Sequence, residues 1–138
     1  GYLLRRGGDP AVTLVGMGAM MTETLTAADR LADQGIAADV VCVTSPGLLF
    51  DALQARRGLG EGPTWILDQV FPAGRAAPMV TVLDGHPHTL AFLTSIHQVR
   101  GAALGVSRFG QVGSLQDVYR YHGIDTDSIV SAALDLTC

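Results

Sequence analysis

Apolar positions along this chain fall into three stretches of one design: a run too continuous for a half-exposed strand, a glycine or polar turn, then helical spacing. VTLVGMGAM leads into residues 22–34, ADVVCVTSP into 48–55, and MVTVLDGHP into 90–99. Strands without polar alternate positions need cover on both faces, and crossover helices supply it. The pattern predicts an α/β fold, a three-layer sandwich around a mostly parallel sheet. Ligands and partners of such sheets meet the carboxyl ends of the strands, which directs attention to positions 16–18, 44–46 and 84–88.

The remaining elements follow from local signals. Residues 2–5 are apolar and run straight into the turn Gly7-Gly8-Asp9-Pro10, which leaves no length for a crossover and predicts an antiparallel edge strand. After strand 12–15, Met21, Leu25, Ala28 and Leu31 recur at helical spacing, and Gly35 stands where a left-handed cap belongs. Strand 39–43 ends at Ser45-Pro46, an N-cap followed by proline at the first helical position, and the helix should stop near Arg56-Arg57-Gly58. One or two turns of apolar helix are expected over 65–71. Strand 79–83 precedes a helix over 90–99, with His97 and Arg100 suited to the negative end of its dipole. The last strand is expected at 102–106. Ser114 with Asp117 resembles a capping box, opening a helix that Gly123 closes. A final helix over 126–136 should turn Ile129, Val130, Ala133 and Leu134 inward.

Composition narrows the function classes. The chain has 138 residues, enough for one domain that buries about two thirds of its unfolded surface. A net charge of −4 and nine scattered arginines give no basic footprint for nucleic acid. No apolar run approaches the roughly 20 residues of a membrane span, and the first residues lack the pattern of a signal peptide. A cytoplasmic location, with neither nucleic acid nor membrane as partner, is the expectation. Cys42 lies in an apolar strand and Cys138 ends the chain, so they form no disulfide framework or metal-ligand spacing. Cys42 is expected to be reduced, structural and buried. Lys and Asn are absent and Arg and Ala abundant, which codon bias in a GC-rich genome explains. A start at Gly1 directly on a strand is expected of a piece of a longer polypeptide.

Candidate chemistry is sparse. Gly16-Met17-Gly18 lies between a strand and a helix as in a dinucleotide fingerprint, but Met21 stands in place of the third glycine and Thr44 and Ser45 in place of a ribose-binding acid. A tight turn permitting close helix–strand approach is the alternative. Asp84-Gly85-His86-Pro87-His88 is the densest polar cluster. Local hydrogen bonding, a face toward a neighbouring domain, and direct acid–base or metal chemistry all remain open for it. Arg108, Phe109, Gly110 and Gly113, leading to Ser114, form a glycine loop before a capped helix; it either offers backbone donors to an anion or makes a packed turn. No serine or cysteine occupies a nucleophile elbow, and no pair of acids is arranged for acid–base work. His97 and His122 read as helix C-terminal residues.

At this string the chain resembles a known family. Arg108-Phe109-Gly110, a further glycine, a capped helix with Tyr119 and Tyr121, then Gly123-Ile124-Asp125 and a closing helix are similar to the end of the transketolase C-terminal domain. YLLR before a Gly-Asp turn, VTLVGMGAM, GIAADVVCVTS and VTVLDG fall in the same order, so the resemblance covers residues 1–138. It implies a five-stranded mixed sheet in the order 1-3-2-4-5, first strand antiparallel, with the 16–18 and 84–88 turns facing one another at the switch point. It also implies a parent enzyme, a homodimer, whose upstream catalytic domains hold thiamine diphosphate and magnesium, the C-terminal domain supporting assembly without catalytic residues. IAADVVCVTS is most similar to the homodimeric pyruvate dehydrogenase decarboxylating component, which implies an oxidoreductase with an acyltransferase as a possible partner. Leu49-Phe50-Asp51-Ala52 and the ending around Tyr121 look more like transketolase proper, a ketol transferase. Ser107 departs from an often acidic family position. A regulatory module for a small anion is a further alternative. Asp84, His86, His88, Arg108, Phe109, Gly110 and Gly113 are the candidates for a domain interface or substrate access.

Overall fold

Val12 and Leu14 face one side of their strand and Val15 the other, and all three are fully buried. That two-sided burial organises the fold. The computed structural model describes residues 1–106, 119–120 and 123–137. Among them β1 (Tyr2–Arg5), β2 (Val12–Met17), β3 (Ala38–Val43), β4 (Met79–Val82) and β5 (Gly101–Leu104) form one sheet in the order β1-β3-β2-β4-β5. β1 pairs antiparallel with β3, and the other pairings are parallel. The α/β class and the antiparallel edge strand are as the residue pattern predicts, and the strand order is as the resemblance implies.

Helices α1 (Met21–Asp33) and α5 (Thr126–Thr137) cover one face, while α2 (Pro46–Arg56), α3 (Trp65–Val70) and α4 (His88–Ala91) cover the other. The first core joins Leu14, Val40 and Val82 to Leu31 and Ile129. The second joins Val15, Val41 and Leu83 to Leu49, Leu67 and Leu90. Period-two alternation along each strand feeds both layers.

Helix ends follow the glycines. Ile36 donates its N–H to the Leu31 carbonyl at 2.9 Å and Gly35 to Ala32 at 2.9 Å, the paired bonds of a Schellman cap with Gly35 at φ 78°. The same pairing recurs at Gly58 after α2, and at Gly123 after the helical residues Tyr119 and Arg120. Ser45 occupies the N-cap of α2 and Pro46 its first position, although the serine hydroxyl makes no capping bond.

Three expectations need correction. The helix expected over 90–99 is only α4 followed by a 3-10 turn, Phe92–Ser95. Thr94 and Ser95 donate their hydroxyls to the Ala91 and Phe92 carbonyls at 3.0 and 2.6 Å; such back-bonding favours a tight turn over continued α-helix. His97 therefore caps no helix: its Nε2 donates to the Phe71 carbonyl at 2.7 Å. The last strand begins at Gly101 and ends at Leu104, because Gly105 turns the chain against the 84–88 loop. Cys42 is half-buried rather than buried, since its strand partner is the exposed edge residue Tyr2. Its side-chain hydrogen bond raises the Tyr2 hydroxyl above its ordinary pKa. The expected capping box at Ser114 and Asp117, together with His122 and Cys138, lies outside the described residues.

At the amino end of the sheet an ion pair locks two loops to the start of a strand. Asp39 is 2% exposed. Arg75 reaches it in two-pronged fashion, Nε to Oδ2 and Nη2 to Oδ1, both at 2.8 Å. The same Nη2 donates to the Gly7 and Gly8 carbonyls at 2.6 and 3.0 Å, while the Gly7 N–H donates to Asp39 at 2.9 Å. The first turn, the start of β3 and the stretch before β4 meet in this network. The hydrogen bond that the guanidinium donates to Asp39 raises the Arg75 pKa above its ordinary value, against the opposing effect of burial. The guanidinium's contribution is thus fully present below its ordinary pKa and fades only as pH rises beyond it. Arg75→Ala leaves the buried Asp39 carboxylate without its cation and is expected to destabilise the domain, read as a lower urea midpoint with an unchanged slope.

Candidate functional site

Strands β2 and β4 are neighbours whose connections leave for opposite faces, α1 from β2 and α4 from β4. Their carboxyl ends therefore border a crevice at the switch point. Gly16 is where β2 and α1 touch: a Cβ there would lie 2.6 Å from Met21 Sδ and 2.6 Å from Thr24 Oγ1. Gly18, at φ 63°, begins the 3-10 turn into α1. A Cβ on Gly18 would have Asp84 Oδ1 at 3.9 Å, so the two turns face one another as the resemblance implies.

The 84–88 turn is held from behind. Val106 donates its N–H to the Gly85 carbonyl at 2.7 Å. A Cβ on Gly105 would sit 2.5 Å from that carbonyl oxygen and 2.8 Å from the Pro87 nitrogen. Backbone is thus laid on backbone, which only glycine permits. Asp84, His86 and His88 are exposed on the outer side of the turn. His86 Nδ1 accepts the His88 N–H at 3.3 Å and also contacts His88 Nδ1. The two rings lie 4.3 Å apart, tilted by 56°. Local hydrogen bonding accounts for much of the loop's shape, and its outer edge offers donors and a carboxylate to whatever meets it.

Arg108, Phe109, Gly110 and Gly113 lie outside the described residues. The chain enters that stretch from Val106, beside the histidine loop. Sequence reasoning missed the Asp39–Arg75 clamp, and a strand position followed 36 residues later by an isolated arginine gives no local signal for it.

These features define a three-layer α/β domain with a switch-point crevice bordered by a glycine turn and a histidine loop. The family model described as "Transketolase-like TK C-terminal domain" matches residues 1–125, and the chain belongs to that family. It is 31% identical over 133 residues to "Transketolase, chromosomal" of Cupriavidus necator, covering 96% of this chain and 18% of that protein. It is 31% identical over 141 residues to a subunit of the apulose-4-phosphate transketolase of Actinobacillus succinogenes, covering 97% of this chain and 40% of that protein. The chain thus spans well under half the length of either relative. Among solved structures, transketolase from Leishmania mexicana superposes with a TM-score of 0.74 at 22% identity, over 99% of this chain and 18% of that one. A split-gene transketolase, described as an inactive beta4 tetramer, gives 0.64 at 24% identity over 99% and 41%. These likenesses show a shared fold.

The described residues do not fit thiamine diphosphate with its metal. The Gly16 position is filled by Met21 and Thr24, which leaves the β2–α1 turn no space for a diphosphate, and beside Gly18 the described residues place a single carboxylate, Asp84, for a magnesium ion. Among the described residues no three His, Cys, Asp or Glu side chains converge on a common point.

Two outcomes follow. Titrating thiamine diphosphate with magnesium into the 138-residue chain should give no saturable heat, and micromolar binding would refute the misfit. Gly105→Ala should dislodge the 84–88 loop, cost about 1–3 kcal/mol through overpacking, and shift the NMR signals of His86 and His88 while leaving those of α1 in place.

Proposed function

We propose that residues 1–138 are the C-terminal domain of a thiamine-diphosphate-dependent transketolase, with the cofactor and magnesium held by catalytic domains upstream in the same polypeptide. The observation that carries this reading is the family match over residues 1–125, joined by two relatives that are both named for transketolase activity. Those names favour ketol transfer over the pyruvate dehydrogenase reading, which rests on the short string IAADVVCVTS, and they give an acyltransferase partner no support. A homodimeric parent in the cytoplasm belongs to the same reading. No helix among the described residues is long and apolar enough to cross a membrane.

In this role the chain contributes shape rather than chemistry. The switch-point edge, with Asp84, His86 and His88 on it and Arg108, Phe109, Gly110 and Gly113 following in sequence, borders the catalytic domains and shapes assembly or substrate access. Exposed polar groups on strand-end loops held by a stiff sheet suit such a boundary.

The full-length protein decides the matter. It is expected to transfer a two-carbon ketol unit from a phosphorylated ketose to an aldose, dependent on thiamine diphosphate and magnesium. Reduction of an electron acceptor with pyruvate, without ketol transfer, would reverse the assignment. His86→Ala should leave cofactor affinity intact and change the apparent substrate constant or dimer stability. A fall in turnover by several orders of magnitude, with assembly and cofactor affinity unchanged, would make the histidine a catalytic residue instead.

A further inference from the structure

Helix α2 carries large apolar side chains beyond the face it lays on the sheet. Leu49, Ala52 and Leu53 are buried against the sheet, yet Leu48 on the other side is 66% exposed. The 57–64 loop returns the chain beside the helix, and Trp65 at the start of α3 stands 62% exposed. Between α2 and α3 runs a groove of about 360 Å³, with Leu48, Ala52, Pro63 and Trp65 along it and Asp51 and Glu61 on its rim. Neither carboxylate is in an ion pair among the described residues.

The path of the polypeptide singles out an occupant. Gly1 donates its nitrogen to Thr44 Oγ1 at 3.1 Å, and a Cβ on Gly1 would lie 3.8 Å from Leu49 Cδ1. Because β1 is antiparallel to β3, residues before Gly1 arrive at the carboxyl edge of β3, beside the first turn of α2. α3 packs over β1, so the groove lies along that approach. A segment tethered there meets the groove at an effective concentration near the millimolar range, which a free partner or second copy must match from solution.

We propose that the polypeptide immediately preceding Gly1 in the full-length protein lies in the α2–α3 groove, as an apolar segment with a cationic side chain toward Asp51 and Glu61. The inference rests on the reading that this chain is the C-terminal part of a longer enzyme. It adds the surface through which the preceding chain is seated and the chemistry of what covers it.

The test places the photoreactive residue p-benzoylphenylalanine at position 65 of the full-length protein, and separately at exposed position 48. After irradiation, adducts are mapped by digestion and mass spectrometry. Both probes should link mainly within the same polypeptide, to residues no more than about 20 before Gly1, the length that at roughly 3.3 Å per residue can cross the groove and return. Reversing the rim charges with Asp51→Arg and Glu61→Arg should lower that yield roughly threefold. Adducts between two copies, adducts to a remote part of the chain, no adduct, or a yield indifferent to the rim charges would each overturn the proposal. Ketol transfer measured on the same preparation reports separately: an active enzyme lacking the adduct sinks only the docking inference, and an adduct in an inactive protein sinks only the functional reading.

Discussion

Strand β2 has apolar side chains on both faces and strand neighbours on both edges, so its first five residues are withdrawn from water. A chain leaving such a strand has to cover one face on its way to the next parallel strand, and a later crossover has to cover the other. In this protein α1 takes one side and the α2–α3 connection takes the opposite one. The reversal opens the crevice between the ends of β2 and β4. The glycine turn, the histidine loop and their mutual approach all follow from burying both sides of one strand. A polar residue at Leu14 or Val15 would damage the site through the sheet, without touching any residue in the crevice.

The two ends of the sheet differ in kind. At the amino end, Asp39 and Arg75 bind two loops and the start of β3 into one network of charge-assisted hydrogen bonds, which are stronger than neutral ones. At the carboxyl end the loops are joined by single backbone bonds and by glycine contacts, and their polar side chains face outward. Rigidity at one end leaves the other free to be shaped by function, since a loop can be altered there without loosening the strands that carry it.

Legibility in the sequence follows the range of the interactions. The strand order requires the family resemblance, but the edge strand, the buried strands and the glycine caps are visible in residues a few positions apart. Gly35, Gly58 and Gly123 each close a helix through bonds that span five residues. The shortness of α4 is hidden because Leu90, Leu93 and Ile96 keep helical spacing, whereas the hydroxyls of Thr94 and Ser95 redirect the backbone. Asp39 reads only as the first residue of a strand, because its partner comes from an irregular stretch 36 positions on. The histidine loop is legible as a polar cluster at a strand end. What it faces depends on Gly18 and Gly105, neither of which is near it in sequence.

Helix α2 shows where local patterning stops being informative. Its inward residues satisfy the demands of the sheet, and by that criterion Leu48 and Trp65 should have been polar. Large side chains at such high exposure lose the burial that would otherwise stabilise them by about 1.5–3 kcal/mol each. The same exposed residues lie near the point where a preceding chain would join β1. The surplus and the entry point coincide, and covering one by means of the other needs no long tether and little loop-closure entropy. Under that proposed arrangement the outward face of α2 becomes an interior surface, and its composition answers to the segment that covers it rather than to the isolated domain.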